Sequence, residues 1–121
     1  MRKFIFVLLL IPIVFVTSCE KTTQIVVFKK KITYKVKGTA SEILVTFTNE
    51  KGETKMTGLS TGTIPWSYEF SVKPDTYVSL QAKNATASGN VEIEIRQRES
   101  LLASDKNDKP YGAASCSSFV K

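Results

Sequence analysis

In five runs between residues 32 and 95 the apolar residues of this chain recur at every second position. Ile32, Tyr34 and Val36 alternate with Thr33, Lys35 and Lys37, and Ile43, Val45 and Phe47 repeat the pattern. A strand sends successive side chains to opposite faces, whereas a helix gathers positions three and four apart, so this period of two demands half-buried strands. Trp66, Tyr68, Phe70 and Val72 form the most apolar stripe, introduced by Pro65 and closed by Pro74-Asp75. Their alternation with Ser67, Glu69 and Ser71 suits a core-facing strand better than a ligand platform. Val78, Leu80 and Ala82 follow, and then Val91, Ile93 and Ile95 face away from Glu92, Glu94 and Arg96. No window offers a helical face.

Punctuation fits the same reading. Asn49–Gly52 is a hairpin-type turn with glycine where positive φ is needed, returning through a weak strand at Thr54–Thr57. Asn84–Asn90 is a second turn, rich in Gly, Ser and Asn. Leu101-Leu102 and Tyr111–Val120 supply two less regular strands around a polar loop, Ser104–Pro110. About seven or eight short strands with turns roughly every 8–12 residues predict an all-β, antiparallel, immunoglobulin-like β-sandwich, with an edge-closed barrel as the competing architecture. The 121 residues, 42% of them hydrophobic, suit one globular domain.

The segment before the strands has a different character. Arg2-Lys3 precedes an unbroken apolar run from Phe4 to Val16, thirteen residues long. A membrane-spanning helix needs about 20 apolar residues, so this run reads as an export signal. Val16-Thr17-Ser18-Cys19 follows, one aliphatic residue, two small residues and a cysteine. This resembles the lipobox of bacterial lipoproteins, which implies cleavage before Cys19, a thioether-linked diacylglycerol on its sulfur and N-acylation, commonly with palmitate. The alternative is an ordinary signal peptide cut near Ser18. Two or more acyl chains anchor a protein stably, at about 0.8 kcal/mol per buried methylene, whereas one chain binds reversibly. The expected division is a leader at 1–18, a lipidated Cys19 with a short tether at 19–24, and a β-sandwich at 25–121.

Cleavage would remove Arg2 and Lys3 and no acid, so 17 basic residues fall to 15 against 11 acidic ones and the net charge goes from +6 to +4. Lys21, Lys29, Lys30, Lys31, Lys35 and Lys37 cluster near the anchor. They read equally as contacts to an anionic bilayer or as a solvated strand edge, and export argues against nucleic acid as a partner.

The strands also carry a resemblance. Tyr34-Lys35-Val36-Lys37-Gly38, Val45-Thr46-Phe47, Ile64-Pro65-Trp66, Leu80-Gln81-Ala82-Lys83-Asn84 and Ala114-Ser115-Cys116 occur in that order. The series resembles the small mycobacterial membrane proteins (MmpS), whose motifs run Tyr-x-Val-x-Gly, Val-Thr-Tyr, Leu-Pro-Trp and Ala-Thr-Cys. The resemblance covers most of residues 33–118 and marks Tyr34, Gly38, Pro65 and Trp66 as core-motif positions. It implies a β-sandwich on the outer side of a membrane, an accessory partner of RND-type exporters. Family members instead span the membrane at the N-terminus and pair the C-terminal cysteine with a second one; here Ile93 stands at that second position.

Candidate chemistry is sparse. The absence of histidine removes the commonest general base and zinc ligand. Cys116 lacks an activating neighbour in the sequence and reads as a buried spectator. Asp105-Lys106-Asn107-Asp108 lacks the spacing of a calcium loop. Glu92 and Glu94 share a strand face, and Arg96 and Arg98 are expected to continue it and balance them. Asn84-Ala85-Thr86 matches a glycosylation sequon. The expectation is therefore no catalytic residue, metal or cofactor. The chain reads as a membrane-anchored binding or accessory module of an envelope complex, facing periplasm or cell surface. Its surface should carry a large apolar patch or a groove between the sheets. A structural or adhesion-type sandwich without a small-molecule site is the alternative.

Overall fold

The computed structural model describes residues 28–121, so the leader, Cys19 and the tether at 19–24 lie outside the described residues. Eight strands form: β1 (Lys30–Lys37), β2 (Glu42–Thr48), β3 (Thr54–Ser60), β4 (Trp66–Val72), β5 (Tyr77–Asn84), β6 (Val91–Gln97), β7 (Ser100–Asn107) and β8 (Ala113–Phe119). They make two four-stranded sheets, β4-β1-β6-β7 and β3-β2-β5-β8, antiparallel at every pairing. The protein is an antiparallel β-sandwich, and the barrel alternative falls because the strands separate into two sheets.

The centre follows the immunoglobulin pattern of crossed pairing, since β1 pairs with β4 in one sheet and β2 with β5 in the other. The β6-β7 hairpin departs from it. The hairpin is inserted between β5 and β8 in sequence and lies on the free side of β1.

The core is the alternation made physical. Ile32, Tyr34 and Val36 of β1 meet Ile43, Val45 and Phe47 of β2, with Val78, Leu80 and Ala82 of β5 and Val91, Ile93 and Ile95 of β6 completing the layer. Burial of these side chains contributes roughly 1.5–3 kcal/mol for each large aliphatic group, the main force holding the sheets together.

Three boundaries differ from the sequence expectation, and the first is β3, which runs on past Thr57 to Ser60, paired with β2 as far as Glu42↔Ser60. Ser104–Asn107 belongs to β7 and is not part of a loop, paired with β6 from Glu94↔Ser104 to Val91↔Asn107. An edge strand with its outer side in solvent tolerates polar residues on both faces, so the period-two signal vanishes there. Strand β8 begins only at Ala113, because Tyr111, at φ 53°, turns the chain into Gly112. A short 3-10 turn at Thr61–Thr63 was also invisible to periodicity.

The loops segregate by end. The chain enters β1 beside the 49–53, 73–76 and 98–99 connections, and the 38–41, 61–65, 85–90 and 108–112 connections occupy the opposite end.

Candidate functional site

The motif residues resolve into structural tasks. Tyr34 is wholly buried, and its hydroxyl donates to the Thr48 carbonyl at 2.7 Å and lies 2.9 Å from Thr48 Oγ1. Burial pushes its pKa up to about 12, with the Thr48 bond opposing the rise. Its ring lies 5.0 Å from Phe70 and 5.9 Å from Phe47, centroid to centroid, inside the favourable range for tilted aromatic pairs. Gly38 has φ 147°, and a Cβ there would drive into the Asn90 carbonyl. That close approach lets loops 38–41 and 85–90 lace together, with Thr39 N–H donating to Asn90 Oδ1 and Asn90 N–H to Thr39 Oγ1.

Pro65 follows a cis peptide bond and delivers the chain into β4. Trp66 is half-buried, 5.3 Å from Phe47 and stacked over Tyr68 at 6.2 Å. Tyr68 OH donates to Glu50 Oε1 at 2.7 Å, a bond that raises the tyrosine pKa and lowers that of the carboxyl. The stripe of β4 thus faces the core along its length, half-exposed only at Trp66 and Tyr68.

Among the described residues a groove of about 760 Å³ runs across the outer face of β4-β1-β6-β7, at the end away from the start of β1. The sequence reading expected a groove between the sheets; this one lies elsewhere, because aromatic and aliphatic side chains fill the space between them. Cross-strand register builds its floor: Ser67, Lys35, Glu94 and Ser104 lie side by side, and Lys37, Glu92 and Lys106 form the next row. Bands of opposite charge therefore run along neighbouring strands, lysine on β1 and glutamate on β6. A second hollow of about 360 Å³ shares Glu92 and Lys106 and continues toward the 108–112 loop.

Glu94 lies 2.8 Å from Arg96 Nε, and this hydrogen bond holds its carboxyl below the usual carboxylate range. Arg98, expected on the same face, does not join them. It sits in the β6–β7 turn at φ 56°, its N–H donating to the Lys31 carbonyl. The strand has ended one residue earlier, so alternation no longer places the side chain.

The remaining candidates have structural partners. Asp105 Oδ2 accepts from Ser115 N–H, while Asn107 Oδ1 accepts from Lys109 N–H and its Nδ2 donates to Ala113 O, so this pair joins β7 to the start of β8. No cluster of three or more metal-ligating side chains occurs among the described residues. Among the described residues Cys116 has no disulfide partner; it is half-buried on the inner side of β8, and burial, reinforced by Asp105, pushes its thiol up to about 11. A thiol so protonated is a poor nucleophile at neutral pH. Asn84 is 0% exposed: its Nδ2 donates to Ser88 O, and its Oδ1 accepts from the amide and hydroxyl of Thr86. It organises the 85–90 loop from inside and presents no amide for modification. Val16, Thr17, Ser18 and Cys19 lie outside the described residues.

Sequence reading placed the groove residues of β1, β4 and β6 on strands but put Ser104, Asp105 and Lys106 in a loop, and it missed the groove because its floor is assembled from four strands by cross-strand register. No known protein family model matches this sequence, and no curated protein matches it.

Proposed function

We propose that this protein is a bacterial lipoprotein, held in the cell or outer membrane by diacylglycerol on Cys19, whose β-sandwich is a non-catalytic binding module of an envelope complex. The observation that carries the reading is the placement of the groove. It opens at the end of the sandwich opposite the start of β1, where a partner held beyond the bilayer could reach it. Its banded charges suit a polar protein surface, since complementary charge sets register and partner choice. An RND-type exporter is the partner class to which the MmpS resemblance points. In support, Ile93 and Cys116, which occupy the family's paired-cysteine positions, stand on strands that pack against each other.

Intact mass of protein extracted from its native membrane, beside Cys19→Ala, tests the anchor. Wild type should be cut before Cys19 and carry diacylglyceryl mass that the variant lacks; an unmodified chain defeats the reading and favours a secreted domain with a Cys19–Cys116 disulfide. A photoreactive residue at Ser104 should then crosslink an envelope protein that one at Ser117, on the other sheet, does not. Equal crosslinking from both positions removes the groove from the account.

A further inference from the structure

The end at which the chain enters β1 has a surface unlike the groove end. Hydrogen bonds draw its parts together: Arg98 N–H donates to Lys31 O, Gln97 Nε2 to Lys121 O, Lys121 N–H to Gln97 Oε1, and Val120 N–H to Thr76 O. Around this rim large apolar side chains stand in solvent. Tyr77 and Phe119 are cross-strand partners with rings 5.3 Å apart, 52% and 62% exposed, and Leu101 and Phe28 are exposed at the same end. Soluble surfaces scatter such residues singly; here four stand at the end where β1 starts, on the same end as a group of basic residues.

Charge follows the same division. The rim holds Lys29, Lys30, Lys31, Lys73, Arg98 and Lys121 against Glu69, Asp75 and Glu99, and the 49–53 turn and its flank add Glu50 and Glu53 against Lys51 and Lys55. At the groove end lysines and carboxylates nearly balance. The positive excess of the described domain thus sits mostly on the rim.

We propose that this rim rests on an anionic lipid bilayer, with Tyr77, Phe119, Leu101 and Phe28 at headgroup depth and the lysines and Arg98 against lipid phosphates. Amphipathic rings ringed by basic side chains are the composition that favours a membrane–water interface. The described chain starts at Phe28 on this end, so a lipid on Cys19 would hold the rim at the surface it fits. The inference rests on the anchor reading and adds an orientation to it: sandwich upright, groove outward.

The test uses the full, lipid-modified chain in vesicles containing phosphatidylglycerol and brominated phosphatidylcholine. Native Trp66 lies about six residues along β1 from the rim, roughly 20 Å, and serves as the internal reference. Wild-type emission should be unaffected by bromine, whereas Phe119→Trp and, independently, Tyr77→Trp should lose most of their added emission. Arg98→Glu with Lys73→Glu should restore it. Emission from both new tryptophans unchanged by bromine, in protein whose mass shows the diacylglyceryl group, overturns the inference and leaves the anchor standing. A mass without lipid overturns the anchor, and the inference falls with it.

Discussion

The two long sides of the sandwich are closed by different physics. On one side β7 and β8 run close together, and side chains of one strand satisfy the backbone of the other: Asp105 takes the Ser115 N–H and Asn107 gives to the Ala113 carbonyl. On the other side β3 and β4 stay farther apart, and Phe47, Trp66 and Tyr68 fill the space with ring contacts of 4.9–6.2 Å. A polar seam is directional and fixes register, whereas an aromatic seam is tolerant in angle and carries more buried area. The β8 strand needs the first kind. Its sequence, Ala113–Phe119, has no charged residue to discourage pairing with a foreign strand, so Asp105 and Asn107 occupy that edge.

Substitutions should separate the two mechanisms by size. Phe47→Ala, at the centre of the aromatic side, should cost about 3–5 kcal/mol in urea unfolding. A loss under about 1 kcal/mol would mean that side is loosely packed. Tyr34→Phe should cost about 1–3 kcal/mol at neutral pH, because Thr48 loses its donor.

The same variant reports on pH. Folded Tyr34 titrates at about 12 against an ordinary 10.0, and Cys116 at about 11 against 9.0. Their raised values contribute stability that is complete below the unfolded pKa and lost as pH rises through the folded one. Stability should thus decline between about pH 9 and 12, with Cys116→Ala flattening the lower part and Tyr34→Phe the upper. A flat wild-type profile across that window contradicts the burial of both groups.

On the polar side, Asp105→Ala and Asn107→Ala should each cost about 1 kcal/mol. Their combination should also promote self-association by exposing the β8 edge, visible in light scattering; a monomeric double variant would show the edge is guarded by other means. The smallest effect belongs to Tyr68→Phe, whose bond to Glu50 is exposed, and stability should move by less than about 0.5 kcal/mol.

Legibility in the sequence tracked burial. Strands β1, β2, β4, β5 and β6 were readable because each has one face in the core and one in solvent, which alternation records. The far half of β7 was unreadable, since Ser104–Asn107 pairs with β6 without burying a face. The same limit hid the groove, built from register across β4, β1, β6 and β7, which local pattern does not encode. Gly38, singled out by resemblance, has a local cause only once the Asn90 carbonyl is placed beside it.

The buried amide of Asn84 has a consequence for where this chain can be made. Its tripeptide with Ala85 and Thr86 would be read by a eukaryotic secretory pathway as the nascent chain emerges, before β8 is present to pair with β5. A glycan fixed there would occupy the interior that Asn84 fills between Thr86 and Ser88, and the loop joining the two sheets could not close. Yeast or mammalian secretion should therefore yield a trapped, unfolded product, which an expression host that leaves asparagine untouched would avoid.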